Sequence, residues 1–203
     1  MEENMIITIS RQYGSGGSQV AKILAERMGV WCYDRDILTI AAERIGNEEL
    51  TEDTINDLNY KRNDVASAGI IGVMGMGNIP IYNQMFLEQA KIIRKLANYG
   101  SAVFLGRCAD YILKDIKNCT SVYLYADREF RKNRVKEIYG SNAEIMDKEE
   151  KNRADYYNYY TGNRWGDINN YDFAINTSKV SFEEAADLIY RFVKDKQKNL
   201  KDR

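Results

Sequence analysis

Five short apolar runs alternate with longer helix-period segments along the 203-residue chain, and this alternation restricts the fold more than any other feature. The runs are "MIITIS" (5–10), "VWCYD" (30–34), "SAVFLG" (101–106), "SVYLYA" (121–126) and "DFAINT" (172–177). Each is continuously apolar rather than alternating, as a strand covered on both faces must be. Between them, "SQVAKILAERMG" carries Val20, Ile23, Leu24 and Met28 at helical spacing and stops at Gly29. "NQMFLEQAKIIRKLANYG" ends in the same way at Gly100, and "SFEEAADLIYRFVKDK" starts from Ser181, a capping residue type. This pattern predicts an α/β fold with a doubly wound, parallel, five-stranded sheet. Residues 36–98 hold one strand fewer than the spacing requires. The stretch from about 40 to 98 therefore reads as a helical insertion within a single domain covering 1–203.

Composition narrows the chemistry. With 44% hydrophobic and 29% charged residues and a net charge of -1, the chain is globular, without a global bias toward nucleic acid or an anionic membrane. It is expected to act on small molecules as a monomer or homodimer. Cys32, Cys108 and Cys119 are odd in number and widely spaced, which fits a reduced interior better than a disulfide frame or zinc site. The acidic N-terminus is no signal peptide, and "AGIIGVMGMGNIP" (68–80) is too short to cross a bilayer. A cytoplasmic location is expected. There is no histidine, which removes the commonest general base, the histidine-assisted nucleophiles and most zinc catalysis. Carboxylates, Arg, Lys, Tyr, backbone dipoles and a hard cation such as Mg2+ remain.

In a doubly wound sheet, ligands sit beyond the carboxyl ends of the strands. The first run is expected to end at Ser10, which puts "RQYGSGGS" there. Gly14, Gly16 and Gly17 let the backbone N–H groups from Gly14 through Ser15 to Gln19 converge on an anion at a helix N-terminus. Against GxxxxGK[ST], Gly16 takes the second glycine and Ser18 the hydroxyl on the Mg2+ side. Arg11 stands where the first glycine belongs, and Gly17 where the lysine belongs. A tight strand-to-helix turn with no ligand is the alternative.

Other candidates follow strand ends. Arg107 enters the same crevice, where a guanidinium can grip a phosphate bidentately, and Asp110 lies one turn onward. The two also suit a structural ion pair. Asp34 is placed to take a proton or hold a Mg2+-bound water, or to cap a helix, and Asp36 reads as a helix cap. In "ADREFRKNRVKEI", Arg131 and Arg134 share a helix face and can supply positive charge, or belong to a solvated charged face. Glu150 and Arg153 lie one turn apart, and Tyr157 and Tyr160 share a face suited to stacking on a base or to packing. Asp167 is placed to order the turn "TGNRWGD".

The stretches "ITISRQYGSGG", "VWCYDRDIL", "VFLGRCADYIL", "RADYYNYYTGNRWGD" and "NYDFAINTSK" resemble the cytidylate kinase-like family of P-loop proteins, related to the bacterial cytidylate kinases. The resemblance covers nearly the whole chain apart from roughly residues 45–80, and the tyrosine-rich stretch is its most specific part. That family commonly carries GSGG without the lysine, often followed by an arginine where this chain has Ser18. The resemblance implies a P-loop NTPase fold and transfer of the γ-phosphoryl of ATP, with Mg2+, to a nucleoside monophosphate such as CMP or dCMP. It implies a lid-like helical region over about 127–165 that brings Arg131 and Arg134 to the transferred group, with Arg11 and the loop amides on the donor phosphates. It puts Asp34, Arg107, Asp110, Glu150, Arg153 and Tyr157 at the acceptor, with Glu150 and Arg153 matching an Asp-x-x-Arg pair. "INT" (175–177) corresponds to the loop near the donor's adenine. Two other functions remain open from sequence: a nucleotide-binding or regulatory module with little transfer activity, and a kinase of a non-nucleotide small molecule.

Overall fold

The computed structural model describes residues 4–46, 81–140 and 143–201. Within them, five strands form one all-parallel sheet: β1 (Ile6–Arg11), β2 (Trp31–Tyr33), β3 (Ala102–Leu105), β4 (Cys119–Tyr125) and β5 (Phe173–Asn176), in the order β2-β3-β1-β4-β5. All five expected strands are present. β1 runs one residue further, through Arg11, β4 starts two residues earlier, at Cys119, and the other bounds are each drawn in by one residue.

The helices are α1 (Gly17–Met28), α2 (Asp36–Ile45), α3 (Ile81–Tyr99), α4 (Ala109–Ile112), α5 (Arg128–Tyr139), α6 (Ala143–Thr161) and α7 (Phe182–Lys201). Gly29 ends α1 in a left-handed conformation, its N–H reaching the Ala25 and Glu26 carbonyls. Ser181 and Glu184 form a capping box at α7: the Glu184 N–H donates to Ser181 Oγ and the Ser181 N–H to Glu184 Oε2. Asp36 does not cap α2. It is the first helical residue, with Arg35 before it in an already helical conformation, so its charge adds only to the first turn. Of the expected insertion, residues 47–80 lie outside the described residues; its flanks are α2 and α3.

In the three central strands, β1, β3 and β4, the continuous runs are explained by burial on both faces. Ile6, Ala102 and Phe104 point into a core with α2, α3 and α4, closed by Tyr156 and Tyr157 of α6. Ile7, Ile9, Val103, Leu105, Val122 and Leu124 point the other way, against Val20 and Leu24 of α1 and Ile189 and Val193 of α7. Strand alternation therefore assigns Thr8 and Ser10 to the face of Ile6, and Arg11 to the α1 face of Ile7 and Ile9. Strand order reverses around β1, so its carboxyl end opens on the crevice.

Candidate functional site

The turn from β1 into α1 is a fixed cradle. Gly16 precedes the helix at φ +81°, a left-handed conformation that favours glycine, and a side chain there would run into the Phe182 ring. Ser15 Oγ donates to the Gln12 carbonyl at 2.8 Å, and Thr177 Oγ1 donates to the Ser15 carbonyl at 2.7 Å from the end of β5. Gln12 receives the Ala126 N–H on its Oε1 at 3.1 Å, which ties the loop to the end of β4. Ser18 and Gln19 are exposed on the first turn of α1. Arg11, Gly14, Gly16, Ser18, Arg134 and Arg153 border an open cleft of about 60 Å³ above this turn.

Helices α5 and α6 grip the same loop. Tyr13 is the handle: its N–H donates to Glu150 Oε2 at 2.6 Å, its carbonyl accepts from Arg131 Nη1 at 3.3 Å, and its ring lies 5.1 Å below the Arg153 guanidinium. Arg131, buried, also donates from Nε to the Ala126 carbonyl at 3.2 Å. Arg153 Nη1 donates to the Arg11 carbonyl at 3.0 Å, and Glu150 Oε1 accepts from Trp165 Nε1 at 2.8 Å. Arg134 lies over the Phe182 ring at 4.6 Å. Glu150 and Arg153, expected at the acceptor, reach the glycine-rich loop from α6. Arg131 was expected at the transferred group, and in this arrangement it anchors Tyr13 and Ala126.

A second group of the expected residues sits on the other face of β1. Asp110, buried, accepts from Tyr157 Oη at 2.7 Å and from Ser10 Oγ at 3.4 Å. Burial pushes its carboxyl up from the ordinary value, and the Tyr157 hydrogen bond opposes this only in part. Arg107, also buried, precedes it in a strained turn: Gly106, Arg107 and Cys108 all have positive φ (73°, 61° and 54°). A left-handed non-glycine residue costs on the order of 1 kcal/mol, and such strain clusters at functional sites. Asp34, at the end of β2, faces Arg11 with Oδ1 3.7 Å from Nη2. The loop, Arg11, Arg134 and Arg153 thus border the open cleft, Asp34 lies beside Arg11, and Ser10, Asp110 and Tyr157 form a buried hydrogen-bonded group on the other face of β1.

Tyr160 follows the packing reading, stacked on Phe86 of α3 at 4.0 Å, with its hydroxyl donating to the Tyr82 carbonyl at 3.1 Å. Asp167 orders its turn by accepting from the Asn169 N–H at 3.0 Å. Two residues important to the loop had not been singled out, Gln12 and Tyr13, although both lie inside the glycine-rich motif. Thr177 entered only as the end of "INT". It is 162 positions from its partner, so its hold on the loop carried no local signal.

The parallel sheet order with a glycine-rich turn between β1 and α1 defines a P-loop kinase type of fold. Residues 6–179 match the cytidylate kinase-like family, and the chain belongs to it. An uncharacterized protein from Eubacterium ventriosum has a similar structure, with 30% identity, covering 94% of this chain and 98% of its own, at a TM-score of 0.69. More distant similarity, of fold alone, extends to a gluconokinase from Sinorhizobium meliloti (13% identity, 98% and 95% covered, TM-score 0.53). It extends also to a deoxyadenosine kinase from M. mycoides with the products dCMP and a flexible dCDP bound (13%, 94% and 100%, TM-score 0.51). No curated protein matches the sequence. Among the described residues no helix is long and apolar enough to cross a membrane.

Proposed function

We propose that the protein is an ATP- and Mg2+-dependent phosphotransferase whose acceptor is a nucleoside monophosphate, CMP or dCMP in particular, or a similar small molecule. The observation that carries this reading is the glycine-rich cradle at the head of α1, opening into one cleft with Arg11, Arg134 and Arg153. Phosphoryl transfer is chiefly a matter of positioning and charge stabilisation, which suits a chain without histidine. The amides of residues 14–19 would hold the donor phosphates, with the α1 dipole behind them. Arg107, in its strained turn, would take the acceptor phosphate, with Asp110 and Tyr157 positioned by one another to contact the rest of the acceptor.

The donor set suits a hard cation. Ser18 offers an exposed hydroxyl on the first turn of α1, and Asp34 a half-exposed carboxylate at the next strand end. Among the described residues no group of three acidic or cysteine side chains could hold a metal by itself, so nucleotide phosphates would have to complete its coordination. Mg2+ would neutralise charge on those phosphates. Arg134 approaches from α5 and Arg153 from α6, so movement of these helices would change how tightly the cleft encloses its contents.

The test is ADP formation by the purified protein with ATP and Mg2+ across a panel of nucleoside monophosphates and other small acceptors. Acceptor-dependent ADP with CMP or dCMP supports the reading; no turnover with any member overturns it. Gly17 in the lysine position favours one rival, a nucleotide-binding module, which would bind ATP tightly in calorimetry without consuming it.

A further inference from the structure

The lysine of a standard phosphate loop approaches the β- and γ-phosphates from the residue after the last glycine. Here that residue is Gly17, the first of α1, and its conformation is not what requires glycine: it is absent from the positive-φ residues. What excludes a side chain is Arg11. A Cβ on Gly17 would fall 2.6 Å from both Cβ and Cγ of Arg11, closer than two carbons can approach. The cause lies in the strand. Because β1 continues through Arg11, in register with Leu124, the alternation that sends Ile7 and Ile9 toward α1 sends Arg11 there too. Its stem lies against the first turn of the helix, Arg11 borders the cleft, and its Nη2 is 3.7 Å from Asp34 Oδ1. Asp34 is beyond hydrogen-bond distance but within ion-pair range, so its charge helps orient the guanidinium.

We propose that Arg11 is the cation that replaces the loop lysine, and that residue 17 is glycine because the Arg11 stem fills the space of its side chain. This rests on the phosphate-binding reading of the loop and assigns the charge that reading lacks. The two arrangements are mutually exclusive: arginine at 11 with glycine at 17, or a small residue at 11 with lysine at 17. Arg134 and Arg153 also border the cleft, but they come from α5 and α6. Arg11 belongs to the strand that carries the loop, so its charge stays with the cradle whatever those helices do. A planar guanidinium between the loop and Asp34 also suits two phosphate oxygens at once, which an ammonium does not.

The experiment has two arms on the full-length protein. In the first, melting temperatures without ligand compare Gly17→Ala in the unaltered and Arg11→Gly backgrounds. Gly17→Ala is expected to lower Tm when Arg11 is present. In the Arg11→Gly background it should leave Tm unchanged or raise it, since alanine is the better helix former. Equal effects in both backgrounds would overturn the steric half. In the second, calorimetry compares Mg2+-ATP with adenosine. Arg11→Met keeps the buried stem and removes the charge; it is expected to weaken ATP about tenfold or more while changing adenosine little. The double variant R11G/G17K is expected to recover most of that loss relative to R11G. Equal losses for ATP and adenosine, no loss for either, or no recovery by the added lysine would make Arg11 a structural residue. If the unaltered protein binds no ATP, the proposed function fails by itself, and the Tm arm still decides the steric half.

Discussion

Glu150 offers the most direct perturbation of the loop's support. Its two carboxylate oxygens serve two different N–H donors, the Tyr13 backbone at 2.6 Å and Trp165 Nε1 at 2.8 Å. Hydrogen bonds to a charged group contribute about 1.5–3 kcal/mol each, and both of these are partly buried, so truncation to alanine should cost about 3 kcal/mol. In a chain of this size, 1 kcal/mol shifts Tm by roughly 2–4 °C, so Glu150→Ala should melt roughly 6–12 °C below the unaltered protein. The isosteric Glu150→Gln discriminates the mechanism. Its amide has only one accepting oxygen for two donors, and its NH2 group must face an N–H. It should therefore recover less than half of the loss. Trp165→Phe removes one donor alone and should show strong non-additivity with Glu150→Ala in a double-mutant cycle by thermal denaturation. A Gln variant that melts like the unaltered protein, or an additive cycle, would refute the two-pronged latch.

Asp110→Asn should raise Tm at neutral pH while lowering acceptor-dependent turnover. Burial raises the folded-state pKa of Asp110, so its stability contribution is full at low pH and lost as pH rises through that value. The Tm gain of the Asn variant should accordingly shrink as pH falls toward about 4, the ordinary range of the group, in a pH series of melting curves. Thr177→Val removes the hydroxyl that holds the Ser15 carbonyl and should cost about 1–2 kcal/mol, with a raised KM for ATP in steady-state kinetics. Gly16→Ala demands a left-handed alanine against Phe182 and should lower Tm by several degrees; adding Phe182→Ala should relieve only the steric part.

The sheet was legible because its three central strands are buried on both faces and all five read as unbroken apolar runs. What stayed illegible depended on single boundaries and on long-range approach. Ending the first run at Ser10 left Arg11 as a loop residue of undefined direction. As the last residue of β1 it is assigned to the α1 face, and that direction links it to Gly17. Glu150 and Arg153 were recognisable as a pair at helical spacing. Yet nothing local says that α6 lies across a loop some 140 residues earlier, so their hold on Tyr13 and Arg11 had to come from the fold. Asp110 and Tyr157 were both singled out, but their contact with each other and with Ser10 also exists only in three dimensions. For the aromatics, the packing reading of Tyr160 prevailed because its ring meets Phe86. The stretch where the family resemblance was weakest, roughly residues 45–80, falls mostly outside the described residues.

The central claim, phosphoryl transfer in a cleft built around a lysine-less loop, is tested most directly by following the phosphorus resonances of ATP with Mg2+, the protein and CMP or dCMP. The account predicts ADP and the corresponding nucleoside diphosphate appearing in equal amounts, dependent on both acceptor and Mg2+. Bound ATP that stays intact with these and every other acceptor in the panel would contradict it.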